Sequence, residues 1–411
     1  MIRLILMLPN FILLWLSGKK QITLGGRKLL PAFQLICEQN EKLGIQYKDI
    51  SPTDLRANYI SQNIAKIGLE EIITSNHKVP VEGDTIEVRE YSSDSINKSG
   101  SSLVYFHGGG WVIGDTDTHD NVCRYICKKL NIKIFSVNYR LSPEYKFPIP
   151  FNDCFDAYEW ISNHAELLEV DPEMISVGGD SAGGNLATSI CIERKKKEKP
   201  LPNAQLLIYP ATDLRLVTNS MTKDCNEGFV LTEELMKWFV NHYLDLDELK
   251  NDPRVSPLLA EKFEGLPPAL IITAGFDPLR DEGLQYSEKL KQENVTVVYK
   301  EYPTYIHGFF NMLQVPGIKK SIDDSLVESI DVTSSQVTGS GTNVITINPT
   351  NDFESATQYY VQIDASAFDD SSGNSFPGIN DSSTLNFTTV DFISPTLLSS
   401  IPSDDQSAVS I

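Results

Sequence analysis

From about residue 84 onward, short and nearly continuous apolar runs alternate with stretches in which apolar residues recur every three or four positions. The runs TIEVREY, SLVYFHGG, KIFSVNYR, MISVGGD, AQLLIYP, ALIITAGFD and VTVVYKEY read as strands. Several have no polar alternate, the pattern of strands covered on both faces. Helices between such strands give an α/β architecture with a mostly parallel sheet. Residues 1–75 carry a helical polar-apolar pattern instead. Between about 213 and 257 the chain is longer than a plain crossover and holds LTEELMKWFVNHYL, an inserted helix of the kind that forms a lid beside a sheet's carboxyl edge.

Residues 4–16, LILMLPNFILLWL, resemble a signal-peptide core behind Arg3, but Pro9-Asn10 interrupts them and no small-x-small cleavage site follows. The run is too short to span a bilayer. A helix packed over an active site, or one making peripheral contact with a membrane surface, ranks ahead of export.

From about Gly317 the pattern changes to short alternating runs (NVITINPT, TQYYVQIDASAF, TLNFTTV) separated by turn residues, which predicts a small all-β sandwich over 317–390. Residues 391–411 read as a linker and the start of a truncated second module. Charge marks the same border. The whole chain has 35 basic and 55 acidic residues, a net charge of -20; residues 1–316 contribute -9 and residues 317–411 contribute -11. Such an excess of negative charge repels phosphate backbones and excludes nucleic acid as a partner unless one face is locally basic.

All six cysteines precede residue 317, without the dense spacing of a disulfide scaffold, so a reducing compartment suits them. His119, Cys123 and Cys127 recur at four-residue steps on an expected helix, which raises zinc. No fourth ligand or Cys-x-x-Cys pair accompanies them, and helix packing is the reading kept.

Candidate chemistry gathers at strand ends. Gly179-Asp180-Ser181-Ala182-Gly183 follows the strand MISVG and precedes a helical run, the strand-turn-helix context of a G-x-S-x-G nucleophile elbow. His107-Gly108-Gly109-Gly110-Trp111 follows SLVYF. A triple glycine could cradle phosphate, but the Lys and Ser/Thr of a P-loop are missing, so an oxyanion-binding loop is the reading kept, with N–H groups from Gly109, Gly110 and Ala182. Asp277 ends ALIITAGF, and His307 follows VVYKEY. Lone carboxylates after strands usually cap helices, yet four pieces in the order Ser, Asp, His plus glycine loop make coincidence improbable.

Together HGGGW, YRLSPE (139–144), GDSAGG, DPLRDEG (277–283) and HGF (307–309) make the sequence resemble the hormone-sensitive-lipase-like (family IV) carboxylesterases of the α/β-hydrolase superfamily over roughly residues 8–315. The resemblance implies an α/β-hydrolase fold with a helical cap that includes the apolar N-terminus. It implies hydrolysis of small or medium acyl esters by Ser181, Asp277 and His307, without metal or organic cofactor. It gives Arg140 and Glu144 structural roles and lets Asp180 brace the elbow, with His107 and Gly108 as supporting motif residues. The tail resembles, more loosely, bacterial Ig-like modules. The catalytic part looks cytoplasmic, whereas such a tail suits export or the cell surface. Relatives finish with a helix after HGF; here NMLQVPGIKKSIDDSLVESI runs straight into module-like sequence.

Rival readings are a non-catalytic small-molecule receptor of the same fold, and a surface or adhesion protein carrying a hydrolase. The intact triad disfavours the first. Amidase and lactonase activities stay open, because a triad does not dictate the leaving group. Oligomeric state is not legible.

Overall fold

The computed structural model describes residues 5–43, 50–63, 69, 71–93, 100–319, 337–338, 346–347, 358–360 and 386–388. The chain divides into two units, Met1–Leu326 and Val327–Ile411.

In the first unit, α1 (Asn10–Ser17) stops at Gly18, whose φ of 73° is the left-handed cap glycine adopts readily. A short ribbon of β1 (Thr23–Leu24) and β2 (Arg27–Lys28) leads to α2 (Pro31–Leu43) and then α3 (Pro52–Asn63). The Gln34 amide of α2 donates to Ser17 Oγ at 3.1 Å, joining α1 to α2. Arg27 makes a paired contact with Glu301 at 2.6 and 3.1 Å, and the Phe33 ring meets Tyr305 edge-on at 5.2 Å. This N-terminal layer therefore seats on the segment that leads to His307.

The central sheet consists of β3 (Ile73–Val81), β4 (Asp84–Ser92), β5 (Ser102–Phe106), β6 (Lys133–Asn138), β7 (Ile175–Asp180), β8 (Gln205–Ile208), β9 (Ala269–Phe276) and β10 (Val297–Ile306). Its order is β10-β9-β8-β7-β5-β6-β4-β3. The first six of these strands run parallel, and β4 and β3 are added antiparallel. The main helices are α4 (Asp120–Leu130), α5 (Ile149–Asn163), α6 (Ala182–Lys196), α7 (Glu233–Tyr243) and α8 (Arg280–Gln292).

Apolar side chains cover both faces of the sheet, as the strand composition requires. Val104, Phe106, Val177 and Ile271 join one core, and Leu103, Tyr105, Ile134 and Ile272 join the other. The expected strands are present, with one addition. The helical reading to residue 75 overran the start of β3, and ITSNHKVPV gave no strand signal. As an edge strand it leaves Ile73, Thr74, Ser75 and Asn76 exposed and buries Val79, so burial imposes no clean alternation on it.

Between β8 and β9 the inserted segment holds a π-helical turn (Ser220–Asp224), α7, and short 3₁₀ turns at Asp247–Asn251 and Pro257–Leu259. Helix α7 begins at Thr232, whose hydroxyl accepts the Leu235 N–H at 3.1 Å, and Glu233 and Glu234 complement its positive end.

In the second unit, Val337–Thr338 pairs antiparallel with Thr346–Ile347, and Gln358–Tyr360 pairs antiparallel with Asn386–Thr388. The remainder of the expected tail strands, the stretch 391–411 and the continuation of a helix beyond residue 319 lie outside the described residues.

Candidate active site

The carboxyl ends of the parallel strands are where an open α/β sheet presents loops to ligand. Strand β7 ends at Asp180, Ser181 follows, and α6 starts at Ala182. Ser181 has φ 56° and ψ -116°, a conformation costly for any residue with a side chain and typical of a nucleophile elbow. The turn depends on Gly183, where a β-carbon would run into the carbonyl of Phe106. The Ser181 N–H donates to Ile208 O at 2.8 Å, anchoring the elbow to β8.

Asp277 directly follows β9 and is fully buried, and His307 directly follows β10. The Ser181 Oγ lies 3.0 Å from His307 Nε2, and His307 Nδ1 lies 2.8 Å from Asp277 Oδ2. The other Asp277 oxygen accepts the Leu279 N–H at 2.8 Å. The Tyr209 ring packs on the imidazole with centroids 4.5 Å apart. Three residues separated by 126 and 30 positions are thus brought into one hydrogen-bonded line.

The glycine loop lies beside this line. Gly109, Gly110 and Trp111 all have positive φ (115°, 57° and 62°), and the Gly109 carbonyl accepts from Val112 and Ile113 at 3.1 and 2.9 Å. A β-carbon on Gly109 would collide with Ile113 O, and one on Gly110 with the Phe239 ring of α7. Trp111 stacks on Tyr243 of the same helix at 4.5 Å. Among the described residues, the N–H groups of Gly109, Gly110 and Ala182 donate to no other group, so they are available to a ligand.

The supporting motif residues have distinct tasks. Asp180, buried at the end of β7, accepts the Gly108 N–H at 3.0 Å and the Tyr105 hydroxyl at 2.7 Å, so it braces the glycine loop as well as the elbow. Burial alone would raise its pKa, but His119, the Tyr105 hydroxyl and the Gly108 amide outweigh that and hold it at about 2. His119 is therefore more than packing, because its Nε2 lies 3.3 Å from Asp180. Cys123 and Cys127 lie buried in α4, and the described residues contain no group of three or more ligating side chains. Arg140 pairs with Asp153 at 2.6 Å and Glu144 with Arg56 at 2.6 Å, on scaffold segments.

Sequence reasoning missed Asn311, Tyr105, Tyr209 and Phe239 as parts of this site. For Phe239 the only available signal was its place on the expected inserted helix. Asn311 and Tyr105 carry none, since their relation to Asp180 exists only in space.

His107 stacks flat on Tyr139 at 4.2 Å, and its Nδ1 donates to Gly108 O at 2.8 Å. Burial, reinforced by nearby His119, lowers its pKa from 6.5 to about 4. A folded-state pKa below the unfolded value means that the neutral ring's contribution is complete above pH 6.5 and is lost as pH falls towards 4. The expected loss is on the order of 3 kcal/mol for this group. Urea unfolding of wild type and His107→Asn across that range checks it: the wild-type slope should be the steeper, and equal slopes would remove His107 from the account.

Residues 103–311 match the alpha/beta hydrolase fold family, and residues 317–389 match a bacterial Ig-like domain. The chain is 35% identical over 332 residues to the carboxylic ester hydrolase LipN of Mycobacterium tuberculosis, an alignment covering 78% of this chain and 88% of that protein. It is 34% identical to the ethyl acetate hydrolase of Pseudomonas putida over 61% of this chain and 78% of that one. Among solved structures, the hyperthermophilic esterase from the archaeon Pyrobaculum calidifontis matches with a TM-score of 0.69 at 33% identity, covering 72% of this chain and 96% of the other. The chain accordingly belongs to the hormone-sensitive-lipase-like carboxylic ester hydrolases of the α/β-hydrolase fold, with a bacterial Ig-like domain following the hydrolase.

Proposed function

We propose that the protein is a serine carboxylesterase that hydrolyses short- to medium-chain esters through an acyl-enzyme intermediate. The observation that carries this reading is the unbroken line from Ser181 Oγ through His307 to Asp277, at 3.0 and 2.8 Å. His307 Nε2 takes the hydroxyl proton as Ser181 attacks the ester carbonyl, and Asp277 fixes the imidazole and stabilises its charge. The oxyanion accepts from the Gly109, Gly110 and Ala182 amides, where one donor is worth about 3 to 4 kcal/mol. Proton return from His307 expels the alcohol, and water repeats the cycle on the acyl-enzyme.

Two observations support a limited acyl length. The curated relative from Pseudomonas putida is named for ethyl acetate, and here Phe239 of α7 presses against Gly110, so cap side chains stand at the oxyanion loop. Hydrolysis of p-nitrophenyl esters from acetyl to palmitoyl tests the reading. Activity should peak among the shorter acyl groups, and Phe239→Ala should raise the octanoyl-to-acetyl ratio of kcat/KM by on the order of tenfold. Absence of turnover on every ester would favour a ligand-binding role instead.

Met7, Phe11 and Trp15, exposed at four-residue spacing, belong to the same proposal as a contact for a lipid surface. Among the described residues no helix is long and apolar enough to cross a membrane. The Ig-like domain fits a surface role.

A further inference from the structure

The Asp180 carboxylate touches all three loops on which the proposed reaction depends. Through Oδ1 it accepts the N–H of Gly108, the residue before the two glycine amides that face the oxyanion. Its own backbone precedes Ser181. Through Oδ2 it accepts from Asn311 Nδ2 at 3.1 Å, and Asn311 closes the turn Phe309–Asn311 that follows His307. Each of these loops carries a residue with positive φ, Gly109, Gly110 and Trp111 in the first, Ser181 in the second and Gly308 in the third, a backbone shape that persists only where the surroundings fix it.

The carboxylate is itself held in place. His119 is fully buried, with Nε2 3.3 Å from Asp180 Oδ1 and 3.1 Å from Asn311 Nδ2. Its Nδ1 lies 3.1 Å from Thr118 Oγ1. That hydroxyl already gives its hydrogen to Asp115 O and accepts from Asp115 N, both at 2.9 Å, so His119 Nδ1 is the donor of the pair. The imidazole is thereby tethered at one edge and faces Asp180 and Asn311 with the other. A buried carboxylate deprived of such partners is strongly unfavourable and would turn or draw in water.

We propose that His119 and Asn311, acting through Asp180, are positioning residues for catalysis: they lock the oxyanion loop, the nucleophile elbow and the histidine loop into one register. Neither touches substrate. Their effect is on where the Gly109 and Gly110 amides lie relative to Ser181, and a displacement of about 1 Å at such a site is enough to cost on the order of a hundredfold in rate. The inference rests on the acyl-transfer reading, which Ser181→Ala tests separately.

The experiment compares full-length wild type with Asn311→Ala, Asn311→Ser, His119→Leu and His119→Gln, all referred to the folded fraction by near-ultraviolet circular dichroism. Three quantities are measured: kcat and KM on p-nitrophenyl butyrate, and Ki for a trifluoromethyl ketone bearing the same acyl group, whose hemiketal oxyanion needs the same amides. Asn311→Ala and His119→Leu should lower kcat by roughly ten- to a hundredfold, with KM changed less than about threefold, and should weaken the ketone in proportion. His119→Gln can turn its amide oxygen to the Asn311 Nδ2–H in place of Nε2, and Asn311→Ser keeps a shorter donor than Asn311; both should recover most of the loss. Folded variants with unchanged kcat and Ki would overturn the proposal. So would activity lost only in step with folded protein, or a loss confined to KM. If Ser181→Ala stayed active the acyl-enzyme reading would fall instead, whatever the clamp variants did.

Discussion

Ser181→Ala should lower kcat on a short p-nitrophenyl ester by on the order of 10⁶-fold, because in the proposed reaction its hydroxyl forms the acyl-enzyme. The fold should survive. Alanine accepts the same backbone angles at the elbow as serine does, the N–H to Ile208 bond is kept, and only the contact with His307 is lost. A fluorophosphonate probe with peptide mapping provides the independent check: it should label Ser181 in wild type and nothing in the variant. Labelling of a different serine, or turnover well above the level of contaminating wild type, would move the nucleophile elsewhere. Adding His307→Ala to Ser181→Ala should cost little more, since the residues act as a unit.

Asp277→Asn should cost about 10⁴ in kcat while leaving the geometry intact, because the amide favours the wrong imidazole tautomer. The same motif offers a control. Asp281, in the first turn of α8, accepts the N–H of Ser220 from the inserted segment at 2.8 Å and pairs with Arg280 at 2.9 Å. Asp281→Asn should therefore keep most of its activity. Steady-state kinetics of the two variants, side by side, separates the carboxylates. Collapse of Asp281→Asn with survival of Asp277→Asn would show that the acid of the triad had been assigned to the wrong end of DPLRDEG.

The candidate site was legible because each of its pieces sits where an apolar strand stops: Ser181 after β7, Asp277 after β9, His307 after β10, the glycines after β5. A strand buried on both faces is a strong signal in sequence, and so is the glycine crowding around a sharp turn. What stayed hidden has physical causes. Strand β3 packs on one neighbour only and needs few apolar residues. His119 and Asn311 stand 192 positions apart and meet only because α4 and the turn after β10 converge on Asp180. His119 was noticed for its spacing to Cys123 and Cys127, when its partner lay on β7.

All six thiols are buried and unpaired, and they are distributed over the hydrolase: Cys37 in α2, Cys123 and Cys127 in α4, Cys154 in α5, Cys191 in α6 and Cys225 beyond the π-helical turn of the inserted segment. Burial pushes their pKa values up, Cys37 and Cys225 to about 12, which leaves almost no thiolate at neutral pH. A modifying reagent can therefore reach each sulfur only when the surrounding element opens. The labelling rate of each cysteine, followed by mass spectrometry, then becomes a built-in clock for local opening in its own segment. Inactivation of this enzyme by a thiol reagent would report on the opening of its scaffold and carry no information about its nucleophile.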